Sequence, residues 1–105
     1  MPSPYVDLGY IDAGYFQDGT GISRVAQDTA GGVITGVLAP TVYINGKHVA
    51  VVGAVVASHG SAPHASPVMV GHSSTVFANG LPVCRDGDAA SCGHLANGSG
   101  NVFAG

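Results

Sequence analysis

Short runs of β-forming residues, broken by Gly, Pro and Asn, make up the chain from residue 23 onward. One run, Thr41–Ile44, ends in Asn45-Gly46, which is a strong signal for a two-residue hairpin turn. Lys47–Val52 then supplies the returning strand. No window of a dozen residues shows the 3.6-residue apolar spacing of a helix, and good helix formers are scarce. The pattern predicts an all-β body.

The same strand–turn–strand unit returns twice more along the chain. Its later copies are Thr75–Arg85, with Asn79-Gly80 at the turn, and a shortened Asn101–Gly105. Val42, Val76 and Val102 align these three copies at unequal spacings. A single unit cannot bury its apolar face alone, so the three units must share a centre. We therefore predict a compact domain with a pseudo-threefold axis.

Residues 1–22 differ from this body and hold three of the four tyrosines. Gly-Tyr recurs at Gly9-Tyr10 and Gly14-Tyr15. Tyrosine rings bury a large area while keeping a polar end, a combination that is enriched at protein interfaces. We predict an N-terminal arm over residues 1–22 and a β-domain over residues 23–105. The arm either contacts a partner or lies on its own domain, and the sequence does not decide between the two.

Composition limits how such a chain is stabilised and what it binds. Glycine contributes 17 of the 105 residues and aromatic residues only 7%. A core of small side chains gains little from burial, so a disulfide, a metal or a partner is expected to support it. Charged residues make up only 9%, and the net charge of −3 argues against nucleic acid or an acidic membrane surface as partner.

The N-terminus lacks the basic region of a signal peptide, and no apolar run approaches 18 residues. We expect synthesis in a cytoplasm, where Cys84 and Cys92 are thiols rather than a disulfide. Metal ligation is then the better use of at least one of them.

Candidate metal ligands fall in the loops between the repeated units. His59 and His64 precede the second hairpin, whereas Cys92 and His94 follow it. If the units surround an axis, these loops meet at one end of it. Imidazole nitrogen and thiolate sulfur suit a closed, four-coordinate zinc site, although the spacing is not that of a zinc finger.

The remaining His and Cys residues are weaker candidates. His48 lies beside a turn in an apolar strand, and we interpret it as an ordinary structural histidine. His72 precedes a pair of serines and is kept as a reserve ligand. Cys84 lies within a strand between Val83 and Arg85, where a small buried side chain is the expected role.

The second unit and the end of the chain resemble the PAAR-repeat proteins, the spike-tip proteins of phage tails and type VI secretion machines. The resemblance is carried by Val76–Gly80, by Pro82–Asp88 with Pro82-Val83-Cys84-Arg85 in the place of Pro-Ala-Ala-Arg, by Cys92-Gly93 and by Gly98–Gly105. It covers roughly residues 24–105 and is most specific over 64–105. It implies a small cone of β-strands with zinc, or in some members iron, near the apex. The broad base would bind the blunt end of a trimeric β-helical spike.

In this family three His and one Cys hold the metal. Carried over, the Cys matches Cys92, and two His match His59 and His64. The third is expected in a His-Gly-Gly stretch, where this chain has Thr29–Gly32. The fourth ligand is then His94, with His72 as second choice, or the site has an open position. Side chains two apart in an extended segment share a face, which favours His94 beside Cys92.

The resemblance implies a structural protein rather than an enzyme. We predict a membrane-piercing tip, one copy per spike trimer, in the baseplate of a contractile phage tail, with transient contact to the target cell envelope. Export by a type VI secretion machine is the alternative setting.

Two other functions remain open at the level of the sequence. A small zinc hydrolase would need a base beside the metal, for which Asp86 and Asp88 are the candidates. They lie in a turn signal, where Asp ordinarily makes local hydrogen bonds. A metal-free β-rich adhesin module is the second alternative.

Overall fold

The computed structural model describes residues 5–6, 9–11, 20–44, 46–74, 76–100 and 103–104. These residues form ten strands of two or three residues and no helix, so the all-β prediction is confirmed. The strands are β1 Tyr5–Val6, β2 Gly9–Ile11, β3 Thr20–Gly21, β4 Thr29–Ala30, β5 Gly32–Val33, β6 Val42–Ile44, β7 Lys47–His48, β8 Phe77–Ala78, β9 Leu81–Pro82 and β10 Phe103–Ala104. Across the described ranges, no helix has the length and hydropathy to span a bilayer.

Three antiparallel strand pairs correspond to the three repeats. β6 pairs with β7, with Tyr43 opposite His48, and β8 pairs with β9, with Phe77 opposite Pro82. The third pair joins β10 to β3, so a strand from the end of the predicted arm completes the shortened last repeat. Asn45, Thr75, Asn101, Val102 and Gly105, which the repeats also include, lie outside the described residues.

Two strands of the predicted arm lie on these hairpins. β1 pairs in parallel with β8, and β2 pairs in parallel with β6. Each of the two complete hairpins thereby becomes a three-stranded sheet. The division into an arm over 1–22 and a domain over 23–105 stays a prediction; Ile22, the last residue of that arm, is fully buried in the core.

A closed ring of backbone hydrogen bonds places the three units around one axis. The amide of Ser23 donates to the carbonyl of Cys84 at 2.9 Å, and the amide of Cys84 donates to Ala50 at 2.9 Å. The amide of Ala50 donates to Ser23 at 3.0 Å, which closes the ring. All three residues are fully buried. Ser23, Ala50 and Cys84 are therefore equivalent positions of the three units.

Each unit then turns through a residue with positive φ. These equivalent residues are Ala26, Gly53 and Gly87, with φ of 65°, 88° and 91°. Their amides donate to the carbonyls of Ile34, Met69 and Ala96 respectively. The left-handed region suits glycine, whereas alanine occupies it with strain.

An arginine follows the ring position in two of the three units. Arg24 donates to both carboxylate oxygens of Asp28, at 2.8 and 3.0 Å, and Arg85 binds Asp88 in the same way, at 3.0 Å for each contact. Each Asp also accepts the backbone amide of its arginine, at 2.7 Å. The third unit has Val51 in this place. Sequence reasoning recognised only the Arg85 copy of this motif.

The core consists of two clusters of small apolar side chains. The first is enclosed by the hairpins and contains Ile22, Ala39, Val42, Ile44, Val49, Val51, Val76, Ala78 and Val83. The second contains Val25, Ala30, Ile34, Ala50, Ala54, Val56, Met69, Cys84, Ala90 and Ala96. Cys92 packs against the second cluster, so the candidate ligands lie beside it rather than beside the hairpins.

Candidate metal centre

Four side chains from two distant loops converge at one place. His59, His64, Cys92 and His94 each offer one ligand atom, and the four atoms lie within 4.8 Å of one another. The side chain of His94 is exposed, whereas the other three are half-buried. The structure thus brings together the four residues that the sequence nominated.

Two of the separations between donor atoms match those around a tetrahedral ion. Nδ1 of His64 lies 3.2 Å from Nε2 of His59, and Sγ of Cys92 lies 3.5 Å from that same nitrogen. Zinc bonds of about 2.0–2.3 Å in tetrahedral geometry place two nitrogens about 3.3 Å apart, and a nitrogen and a sulfur about 3.6 Å apart. Each pair among the three imidazole rings has a centroid separation of 5.0 Å. The donor set and its spacing fit a structural zinc ion.

Backbone contacts orient His59 for this role. Its Nδ1 lies 2.9 Å from the carbonyl oxygen of Ala57, and the amide of Ala57 in turn donates to Val33 at 2.8 Å. When Nδ1 donates to that carbonyl, Nε2 is left with a free lone pair directed at the cluster. Metal-ligating histidines are commonly held by such a hydrogen bond from the second ring nitrogen.

The loop that carries the first two histidines is closed on itself. The amide of His59 donates to the carbonyl of His64 at 3.0 Å, and the amide of His64 donates to Ser61 at 2.8 Å. These bonds hold the backbones of the two histidines close together without the help of an ion.

A tight turn brings Cys92 and His94 to the cluster. The amide of Gly93 donates to the carbonyl of Ala90, the amide of Ala90 donates to His94, and Gly93 has a φ of 95°. The sequence argument for His94 assumed an extended segment, and that assumption is wrong because the segment is a turn. The choice of His94 over His72 nevertheless agrees with the position of the two rings.

Gly31 leaves the space that the rings occupy. It has a φ of 86°, and a Cβ at this position would lie 2.5 Å from Nε2 of His59 and 2.6 Å from Cδ2 of His94. Any side chain here would collide with two of the four candidate ligands. Gly31 stands in the Thr29–Gly32 stretch where the family pattern has its first histidine, and Ala30 is fully buried in the core. Sequence reasoning did not recognise the role of Gly31. The sign of that role is its positive φ, which only the structure reveals.

The other candidates lie elsewhere among the described residues. Nδ1 of His72 is 2.7 Å from the carbonyl of Ser73, and His72 does not belong to the cluster. His48 stacks on Tyr43 with ring centroids 4.4 Å apart. Cys84 is fully buried and donates to the carbonyl of Gly71 at 3.3 Å. Burial, helped by the charge of Asp88, raises the pKa of Cys84 to about 12, so it stays a thiol at neutral pH.

An all-β cone of three hairpin units, with His and Cys side chains gathered near one end, has the architecture of a spike-tip protein. A family model described as the PAAR motif matches residues 26–96, well over half of the chain, and the chain belongs to that family. The family consists of structural spike-tip proteins of phage tails and type VI secretion machines, and its members associate with spike proteins. No curated protein matched the chain.

Proposed function

We propose that His59, His64, Cys92 and His94 hold one zinc ion that pins the apex of this spike tip. The observation that carries the proposal is the convergence of three imidazoles and one thiol within 4.8 Å, with His59 at tetrahedral separations from His64 and Cys92. A set of four N and S donors fills the coordination sphere of zinc, so the role is structural. Iron is the alternative metal.

We further propose that the wide end, formed by the strand pairs β6–β7, β8–β9 and β10–β3, caps a trimeric β-helical spike, one copy per trimer. Support comes from the ring of backbone bonds through Ser23, Ala50 and Cys84, because a pseudo-threefold body presents three similar edges to a threefold partner. The arm over residues 1–22 helps to fasten the cap, since its strands β1 and β2 extend two of these edges.

The setting we favour is the baseplate tip of a contractile phage tail, where the protein is assembled in the virion after synthesis in the host cytoplasm. In that place the tip is pushed briefly into the target cell envelope. Whether the tip stays folded then depends on how slowly it unfolds under force rather than on its equilibrium stability. A metal that joins two distant loops opposes their separation directly. Export by a type VI secretion machine would use the same properties.

A structural role also agrees with the surroundings of the two acidic residues that a zinc hydrolase would need. Asp88 is engaged by both Nε and Nη2 of Arg85 and by its backbone amide. Both oxygens of this carboxylate are thereby occupied by hydrogen bonds within the turn. This observation does not favour the enzyme, and we propose none.

Metal analysis of the purified protein tests the staple. We expect one equivalent of zinc or iron in the wild type and a loss of it in Cys92→Ser, His59→Ala and His94→Ala. His72→Ala is the matched control, because it removes an imidazole outside the cluster and should keep its metal. A full metal load in Cys92→Ser would contradict the assignment, as would a metal-free wild type.

Native mass spectrometry with a trimeric β-helical spike tests the cap. We expect one copy of this chain on three copies of the spike. Deletion of residues 1–11 should weaken the complex without removing the metal, because β1 and β2 contribute to the base but not to the cluster. Binding of three copies per trimer, or none, would refute the capping arrangement. Detection of the chain in purified phage particles separates the virion from the secretion machine.

A further inference from the structure

We infer that an apolar stripe on the outside of the cone is the surface that touches the hydrocarbon of the target membrane. The outer stripe consists of Val33, Val55, Val68, Val70, Ala89 and Leu95. This inference rests on the proposed function and adds to it the part of the molecule that meets the lipid. It concerns the flank beside the metal cluster, not the base.

The stripe arises from the alternation of side chains along four short segments. Ile34 bridges Val56, and Met69 bridges Ala90; all four of these side chains are buried in the second core cluster. Their neighbours in the chain point to the other face, where Val55 bridges Val68 and Ala89 bridges Leu95. The outward residues therefore form one continuous row across the segments.

Exposure singles out this face among the described residues. The exposed large hydrophobic side chains are Val33, Val37, Leu38, Val55, Val70 and Leu95, with Leu95 exposed to 63%. Four of the six belong to the outer stripe. None lies on the hairpins of the base. Clustered exposed apolar residues on a small domain mark an interaction site.

Charge is missing from the same part of the molecule. The chain has no Asp, Glu, Lys or Arg in residues 29–46, 48–84 or 89–105. Of the charges that border these ranges, Arg24 pairs with Asp28 and Arg85 pairs with Asp88, whereas Asp86 is exposed in the turn before Ala89. A charged side chain entering hydrocarbon costs several kcal/mol, so a charge-free flank permits entry where an ordinary protein surface would not.

Backbone groups along the stripe are also paired, as hydrocarbon requires. The amide of Val70 donates to the carbonyl of Ala89, and the amides of Thr35 and Ala57 donate to Val55 and Val33. A row of half-exposed apolar side chains suits a deformable lipid surface. The lack of charge further implies that binding does not depend on anionic headgroups.

Insertion of the full-length, metal-loaded chain into a phosphatidylcholine monolayer, and flotation with vesicles of the same lipid, test the inference. The variant combines Val33→Thr, Val55→Thr and Val70→Thr, which keep side-chain shape, with Leu95→Thr. We expect vesicle partitioning to fall at least about tenfold, because each substitution removes part of the apolar area available for burial. Lys47→Ser is the control: it removes a charge from the β6–β7 hairpin of the base and should leave partitioning unchanged.

Four results would overturn the inference. They are no insertion by the wild type, equal insertion by the quadruple variant, binding that needs anionic lipid, and binding that is abolished by Lys47→Ser. A dimer held by the stripe in sedimentation, lost in the quadruple variant, would assign the stripe to a second copy instead. Metal content and capping of the trimeric spike are measured on the same samples. If both persist while insertion fails, the lipid inference is wrong and the proposed function stands; if capping fails, the proposed function is wrong.

Discussion

Replacement of Gly31 by Ala tests the candidate metal centre independently of the stability of the fold. Gly31 has a φ of 86° and lies against the rings of His59 and His94, whereas Gly46 has a φ of 82° and would place a Cβ with nothing within 4 Å. The substitutions Gly31→Ala and Gly46→Ala therefore impose the same backbone strain. Only Gly31→Ala adds a collision with candidate ligands.

The expected magnitudes follow from this difference. An alanine in the left-handed region costs about 1–2 kcal/mol, and the loss of glycine's freedom in the unfolded chain returns about 0.4–1 kcal/mol. Both metal-free variants should thus lose roughly 1 kcal/mol of unfolding free energy. The new methyl group would meet Nε2 of His59 at 2.5 Å, and a free imidazole can swing away from it. A ring that is held by an ion cannot swing away. Gly31→Ala should therefore weaken metal binding about 10–100-fold, which is the usual effect of disturbing the orientation of a metal ligand.

Chelator competition and urea denaturation, each with and without metal, measure the two effects. Gly46→Ala should bind metal as the wild type does and lose the same unfolding free energy in both states. Gly31→Ala should match Gly46→Ala without metal and fall well below it with metal. If the two variants bind metal equally, His59 and His94 are not held at the places that the structure gives them.

Three further predictions concern the body of the cone. Ala26→Gly should raise the unfolding free energy measured by urea denaturation by about 0.5–1 kcal/mol, because it relieves the strain of an alanine at a φ of 65°. Gly87→Ala at the equivalent turn should lower the unfolding free energy by a similar amount. If both substitutions changed it in the same direction, the two turns would not be equivalent. Burial raises the pKa of Cys84 from 9.0 to about 12, so the stability that the buried thiol contributes below pH 9 should be lost as the pH rises towards 12. Urea denaturation at pH 8 and pH 11 should show a smaller loss of unfolding free energy in Cys84→Ala than in the wild type. Asp88→Asn should cost about 1–3 kcal/mol by removing a charged acceptor of three hydrogen bonds, whereas exposed Asp86→Asn should change stability by less than about 0.5 kcal/mol.

Local turn chemistry made the two complete hairpins predictable. Gly46 and Gly80 each have φ near 80°, as the Asn-Gly pattern requires, and β-branched or aromatic residues lead into both turns. The pairing of β10 with Thr20–Gly21 was not predictable in the same way. These two short strands come from distant parts of the chain and meet only when the three units close around their axis. No local sequence signal at Thr20 indicates this pairing.

The residue types of the candidate site were readable from the sequence, but its supports were not. His and Cys in loops between repeats indicated a shared ion, whereas Gly31 stood out only when its neighbours were known. The Arg24 copy was missed because the repeats were aligned on the hairpin valines rather than on the strand after the turn. In addition, Ala26 occupies the place of the glycine in the other units, which hides the match.

The location of the cluster shows what the proposed ion would add to a chain with such a thin core. The second core cluster consists largely of alanine and valine, so each side chain contributes little burial. His59 and Cys92 are 33 residues apart, and an ion shared between them closes a loop that spans the second unit. If the closure acts as a cross-link of that length does, it removes about 3–4 kcal/mol of chain entropy from the unfolded state. That is comparable to burying two further valines. In the proposed function the tip is driven by its base, and the ion would add cohesion beside the second cluster to that of the ring through Ser23, Ala50 and Cys84.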